Sequence, residues 1–262
     1  VALSGTYDAR LLRPETAAGA GAQTLLLALL ATVVGLGLAG WLTGLAFTLA
    51  TWAVLTRALR RRWPGPFGPA NGVTLARTTL VGGVTALIGD SFMSRPPVAD
   101  SFMSRPPVAV TVALAAVALI LDAVDGQVAR RTGTESPLGA RFDMEVDAFL
   151  ILVLSVYVAM SLGAWVLLIG AMRYAFVVAA RVLPWLHGPL PPSTARKAVA
   201  ALQGIVLLVV GTGIIPRLPA YTAVLVALAL LVWSFARDIR WLWRVSVRDS
   251  AVVVRDPRHE RA

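Results

Sequence analysis

Cysteine is absent, and histidine nearly so: only His187 and His259 occur, far apart in the chain. Disulfides, thiolate zinc sites, thiol nucleophiles and a histidine-built metal site are thereby excluded. Charge is scarce as well. Asp, Glu, Lys and Arg make up 15% of the 262 residues, against about 25% in ordinary soluble domains. Acid is the scarcer sign, with 14 Asp and Glu against 24 Lys and Arg and a net charge of +10. A surplus of arginine can mark a nucleic-acid binder, but no polar basic face exists to carry that role, so nucleic acid is not an expected partner. What fills the chain is apolar: 57% of residues are hydrophobic and mean hydropathy is +0.74. The fold class that follows is all-α, a polytopic bundle of membrane-spanning helices.

Apolar runs long enough to cross a bilayer, about 20 residues each, set the expected helices. Residues 1–22 are polar and Gly/Ala-rich and lack the basic, apolar and small-residue order of a signal peptide. Thr24 to Leu55 is apolar but interrupted by GLGLAGWLTG, which favours two helices turning near Gly40, with a single tilted helix as the alternative. Arg57, Arg60, Arg61 and Arg62 then end the crossing, and the prolines of WPGPFGPAN punctuate the chain. Further spans are expected from Asn71 to Ile88, from Val108 through Arg131, and near Phe142–Leu162, Trp165–Leu183, Ala198–Ile214 and Tyr221–Phe235. That makes about eight helices, a front pair (1–63) before a six-helix core (64–236), with a basic tail at 237–262. DSFMSRPPVA, repeated in perfect tandem over Asp90–Ala109, is expected to form a loop without function.

Arginine orients the spans. One set of loops carries Arg57–Arg62, Arg130, Arg131, Arg141, Arg181, Arg196, Lys197 and the tail, and the opposite set only Arg95, Arg105 and Arg217. The positive-inside rule makes the first set cytoplasmic, with both termini, in a multi-pass protein of the cell membrane. The tail segment RDIRWLWRVSVRD mixes Trp with Arg as an interfacial helix on anionic lipid headgroups would.

Four of the few acids gather on that cytoplasmic side. Asp122, Asp125, Gly126 and Ala129 stand at i, i+3, i+4 and i+7, one helical stripe, and Asp143 and Asp147 stand at i and i+4 on the next helix. Facing stripes would bring four carboxylates to one point, where they repel unless a cation neutralises them. Oxygen-only ligation suits Mg²⁺, Mn²⁺ or Ca²⁺. A solvated acidic loop would explain the charge but not the two stripes, nor the small residues Gly126, Ala129 and Gly139 that bare the helix faces beside them.

DAVDGQVARRTGTESPLGARFDMEVD resembles the signature of the CDP-alcohol phosphotransferase (CDP-alcohol phosphatidyltransferase) family: D-x-x-D-G-x-x-A-R, eight residues, then G-x-x-x-D-x-x-x-D. Asp122, Asp125, Gly126, Ala129, Arg130, Gly139, Asp143 and Asp147 meet every fixed position. Upstream, PANGVTLAR resembles the family's first-helix motif through Asn71, Thr74 and Arg77, with Ala70 inserted after the proline. The resemblance covers roughly Pro66 to Phe235 and leaves the front pair outside. It implies an integral-membrane transferase moving a phosphatidyl group from a CDP-linked lipid to an alcohol and releasing CMP. Two Mg²⁺ or Mn²⁺ ions would be held by Asp122, Asp125, Asp143 and Asp147. CDP would be held by Asn71, Thr74, Arg77, Gly126, Ala129, Arg130 and Gly139, with Asp147 as general base toward the acceptor hydroxyl. Members are often homodimers, so a second copy joins CDP-lipid, acceptor and membrane lipid among the expected partners.

The acceptor is less determined. Arg173 lies inside the apolar run VLLIGAMRYAFVVAA, where an arginine costs about 2.5–3.5 kcal/mol to insert. It reads as the partner of an acceptor phosphate, or as half of an internal salt bridge. Arg196 and Lys197, in PPSTARKAVAALQ, read equally as acceptor ligands or as loop charge. The Gly-Lys-x-Lys-Thr pattern of members that act on glycerol phosphate is missing, and no inositol-phosphate pattern replaces it. Glycerol 3-phosphate is the first candidate, an inositol phosphate the second, and a neutral alcohol or a lipid such as phosphatidylglycerol the choice if Arg173 is internally paired. A transporter would need mid-membrane acids and internal repeats, and a catalytically dead scaffold would show a decayed signature; neither pattern is present.

Overall fold

The structure, a computed structural model, describes residues 14–62, 69–94, 106–132, 137–188 and 190–255, with side chains described for 17–54, 72–92, 108–122, 142–188 and 190–247. Among the described residues there is no strand, and eight α-helices carry the chain: α1 (Pro14–Val34), α2 (Leu38–Arg62), α3 (Pro69–Ser94), α4 (Pro106–Thr132), α5 (Pro137–Leu162), α6 (Leu167–Val182), α7 (Thr194–Gly211) and α8 (Arg217–Arg255). Helices satisfy their own backbone groups, which is what a hydrocarbon solvent demands. Six of them, α1, α3, α5, α6, α7 and α8, contain stretches long and apolar enough to span a bilayer. In α2 and α4 the apolar runs are shorter, Leu38–Val54 and Val108–Asp122, because each helix continues into charged residues without a break. The all-helical polytopic bundle expected from hydropathy is the fold observed.

The chain divides into two compact units, Val1–Leu150 and Ile151–Ala262. In the first, α3 is the hub, packed against α1, α2 and α4. Small residues make that possible: Gly82, Gly83 and Ala86 are buried on α3, and between apolar helices in lipid it is close backbone approach that drives packing. Leu27 and Leu30 of α1 meet Ala86 and Leu87 of α3 in one cluster, closed by Leu36 from the α1–α2 turn. Phe47 of α2 lies against Phe149 of α5, ring centroids 5.1 Å apart.

That turn is Gly35–Gly37 rather than the expected neighbourhood of Gly40. Gly35 takes φ 74°, a left-handed conformation that glycine adopts without strain. Gly40 instead belongs to the first turn of α2, and its N–H donates to the Asp90 carboxylate of α3 at 3.3 Å. Asp90 thus serves a helix N-terminus from a distance, satisfying a donor that has no partner within its own helix. The tandem repeat is correspondingly not all loop. Asp90–Ser94 completes α3 and Pro106–Ala109 opens α4, a start that proline favours; residues 95–105 lie outside the described residues.

In the second unit, α7 and α8 pack along one another, and the buried Gln203 of α7 donates through Nε2 to the Ala227 carbonyl of α8 at 2.9 Å. Trp165 stacks on Tyr221 at 6.0 Å, and Phe176 meets Phe235 edge-on at 5.6 Å. The helix expected at Arg237–Asp249 is present and is continuous with the last span. Residues 220–255 contain neither glycine nor proline, so the change from apolar to basic composition passes without a break in α8. Leu242 on that extension is buried against Ala180 and Leu186, while Trp241, Trp243 and Arg244 are exposed.

Candidate active site

Three helices of the first unit bring the site together. The stripe on α5 puts Asp143 and Asp147 one turn apart, α4 presents Asp122, and α3 sends in Arg77. Arg77 is the centre of the group and is 1% exposed. Its Nη1 donates to the Asp122 carboxylate, and its Nη2 donates to Asp143 Oδ1 and, at 3.1 Å, to the Asp143 backbone carbonyl. Asp147 Oδ1 lies 3.0 Å from the same Nη2. The planar guanidinium fork is suited to reaching several oxygens at once. Thr74 and Thr78, also buried, flank it on α3, and Thr78 Oγ1 donates to the Thr74 carbonyl at 2.7 Å.

Charge in this group does not balance. One guanidinium faces three carboxylates, so acid outnumbers base three to one, and a carboxylate oxygen from each aspartate lies within 4.8 Å of the others. Such a donor set, all oxygen and richer in acid than its single arginine can pair, fits a hard divalent cation. Asp122, Asp143 and Asp147 are the residues that could hold one.

The structure therefore gathers three of the four expected aspartates with Arg77 and sets Thr74 beside it. Asp125, Gly126, Ala129 and Arg130 fall in the last turns of α4, Gly139 in the first turn of α5 and Asn71 in the first turn of α3, but their side chains lie outside the described residues. Glu145, two positions from both Asp143 and Asp147, is exposed.

The acceptor candidates belong to the second unit. Arg173 is half-buried midway along α6. Arg196 donates through Nη1 to Asp238 Oδ2 at 3.2 Å and through Nη2 to the Pro191 carbonyl at 3.0 Å, and Lys197 is exposed. Ser193 caps α7, accepting from the Arg196 N–H at 3.4 Å and from Arg237 Nη2 at 3.0 Å. Asp238 was not singled out by sequence reasoning. Its signal was available, because it is the sole acidic residue between Arg217 and Val247, and a lone acid among apolar and basic residues needs a partner.

Comparison with known proteins agrees with this geometry. A family model for CDP-alcohol phosphatidyltransferases matches residues 67–235, which takes in α3 through most of the apolar part of α8 and so contains Arg77 and all three clustered aspartates. No curated protein and no solved structure gives a significant match. The matched segment covers more than half of the chain and holds the whole carboxylate cluster: this chain belongs to the CDP-alcohol phosphatidyltransferase family, membrane enzymes that transfer a substituted phosphate group from a CDP-alcohol to an acceptor.

Proposed function

We propose that the protein is a phospholipid synthase that moves the phosphatidyl group of a CDP-lipid such as CDP-diacylglycerol to a phosphate-bearing alcohol, glycerol 3-phosphate first and an inositol phosphate second, with release of CMP. The single observation that carries the reading is the excess of carboxylate over guanidinium around Arg77. A diphosphate is itself anionic and could not enter such a site without added positive charge.

Asp122, Asp125, Asp143 and Asp147 are the residues assigned to hold two Mg²⁺ or Mn²⁺ ions, which when bound supply Lewis-acid stabilisation of the phosphates in an in-line displacement. Asp147 is assigned as the base that takes the proton of the acceptor hydroxyl. A carboxylate is weakly basic toward an alcohol, so much of the rate must come from holding the two substrates in line. Arg77 and Arg130 are assigned to the phosphates of the CDP moiety. Asn71, Thr74, Gly126, Ala129 and Gly139 complete the CDP-binding set, the small residues admitting the nucleotide close to the helices. Bond-making is then between the acceptor oxygen and the phosphatidyl phosphorus, and the bond broken links that phosphorus to the oxygen of the departing CMP.

Arg173 is assigned to the acceptor's phosphate, with Arg196 and Lys197 as further candidates. What supports Arg173 is its place in an apolar span, where a cation requires an anionic partner to offset insertion. The arginine-rich loops and tail put the site at the cytoplasmic face of the cell membrane, with both termini on that side. The front pair, residues 1–63, and the tail, 237–262, stand as additions to a catalytic core at 64–236, and a homodimer is the assembly to look for. The test is to supply the purified protein with CDP-diacylglycerol and a panel of acceptors, then to identify the lipid product by mass. A lipid product that also carries the acceptor's own phosphomonoester supports the assignment; a product formed only with phosphatidylglycerol or an uncharged alcohol removes Arg173 from it.

A further inference from the structure

The family match begins at residue 67, so α1 and α2 lie ahead of it. Yet both pack on α3, the helix that carries Arg77. The fit is close at several levels. An added Cβ would stand under 3.0 Å from Leu75 at Gly19, from Gln23 at Gly82 and from Thr43 at Gly89. The bond from the Gly40 N–H to Asp90 adds a further pin. Helices joined backbone to side chain at so many points resist sliding past one another. These pins share one side of α3: Leu75, Gly82, Ala86 and Gly89 fall within about 60° of one another at 3.6 residues per turn. Arg77 leaves α3 on the other side, toward the carboxylates. The front pair therefore fixes α3 from behind.

The same pair reaches the other principal helix of the site. Phe47 of α2 lies against Phe149 of α5, ring centroids 5.1 Å apart and planes tilted by 37°. Phe149 follows Asp147 by two positions, which sets the ring and the carboxylate about 200° apart round the helix. The ring contact thus bears on the back of α5, whose front carries Asp143 and Asp147. One helix from outside the family match touches both α3 and α5, each on the side away from the cluster. A cation site shared between separate helices is only as well formed as the spacing of those helices. An aromatic pair is large and rigid enough to fix such a spacing.

We propose that Phe47 is a positioning residue for the carboxylate cluster: through Phe149 it sets α5 against the pinned α3 and so holds Asp143 and Asp147 at the spacing a divalent cation requires. The proposal rests on the divalent-metal reading of the site and gives the helices ahead of the core a part in forming it. The full chain in detergent is titrated with Mn²⁺, and free ion is read by electron paramagnetic resonance. Asp143→Asn identifies the binding that belongs to the cluster. Phe47→Ala is expected to raise the Kd for Mn²⁺ about tenfold, Phe47→Val less, and Phe47→Leu no more than about twofold, as for residues that orient the ligands of a metal. Phe47→Ala combined with Phe149→Ala should bind no worse than the weaker single variant, since each removes the same contact. Phe176→Ala, which deletes the ring contact with Phe235 in the second unit, should lower Tm and leave the Kd unchanged. A Phe47→Ala variant that melts lower yet binds Mn²⁺ normally overturns the proposal, and so does an equal loss of affinity in Phe176→Ala. Should Phe47→Ala not fold, normal affinity in Phe47→Val overturns it and weakened affinity supports it. If the unaltered protein binds no Mn²⁺ at the cluster, the metal reading fails and takes the proposal with it. If it binds Mn²⁺ and the Phe47 variants bind equally well, only the role of Phe47 falls.

Discussion

Arginine and aspartate meet twice in this molecule, in opposite proportion. In the first unit one arginine, Arg77, faces Asp122, Asp143 and Asp147 and is 1% exposed. In the second unit two arginines, Arg196 and Arg237, share Asp238 and remain about one-third exposed. The first cluster is left with negative charge and the second with positive. The groups that carry the excess are alike in exposure, 30–41% for the three carboxylates and 33–35% for the two arginines, so sign and number of charges are what separate the clusters. The acid-rich cluster is therefore the one that demands an exogenous cation, and the arginine-rich one is complete as a clamp joining the start of α7 to α8.

The largest effect that tests this contrast is removal of divalent cation. EDTA should abolish CMP release, and Mg²⁺ or Mn²⁺ should restore it, because one guanidinium cannot offset both three carboxylates and a diphosphate. Persistent turnover in metal-free buffer would sink the mechanism, and with it the charge argument. Asp147→Asn should come next, reducing turnover to background while CDP-lipid binding is at least partly kept, since the amide cannot accept a proton. Turnover near that of the unaltered enzyme would move the base elsewhere. The matching change on the other side, Asp238→Asn, should leave turnover within a fewfold of normal.

Arg77→Met separates the clusters by stability. Removing the cation from a buried ion-pair group costs on the order of 3 kcal/mol, and here it leaves three carboxylates facing one another. The melting temperature in detergent should fall sharply without divalent metal and recover in part when Mg²⁺ is added, because a bound cation takes over the neutralisation. A melting curve indifferent to metal in this variant would show that the carboxylates do not form its binding site.

How much of this was legible in the sequence follows from what each feature depends on. Helices and spans follow from hydropathy, a local property, and the i, i+3 and i, i+4 stripes are local too, so the aspartates could be placed on two helices from spacing alone. Arg77 could be flagged by its motif but not seen as the hub, because its three partners lie 45 to 70 positions downstream and only packing of α3 against its neighbours joins them. The same holds for Asp90 with Gly40 and for Arg196 with Asp238: a hydrogen bond between distant positions has no periodicity to betray it. The turn at Gly35–Gly37 was misplaced by a few residues because several glycines offered themselves, and only burial of Leu36 distinguishes among them. The helix expected at Arg237–Asp249 follows from local composition too, and its joining to the last span follows from the lack of any helix-breaking residue between them.

A smaller effect probes the acceptor. Arg173→Ala should raise the acceptor's KM about tenfold and that of the CDP-lipid little, because only the acceptor loses a charge partner. Equal changes in both constants would mean that Arg173 supports the fold of α6 instead.

The smallest effect belongs to the arginine-rich cluster, and it sets the limit of the comparison. Arg196 is held by Asp238 and by the Pro191 carbonyl, so to bind an acceptor phosphate it must first leave those partners. Exposed ion pairs contribute about 0–1 kcal/mol, and Arg196 is 35% exposed against 14% for Asp238, so the clamp should lie at the upper part of that range. Arg196→Ala should therefore lower stability by less than about 1 kcal/mol, less still at high salt, and raise the acceptor's KM no more than about threefold. Pairing that change with Asp238→Asn in a double-mutant cycle isolates the interaction from the rest of the site. A coupling energy on stability with no coupling on KM assigns Arg196 to the α7–α8 clamp. A rise in KM as large as that of Arg173→Ala, unchanged when Asp238 is also replaced, assigns it to the acceptor, and the two clusters then cease to be contrasting cases, because both act on substrate.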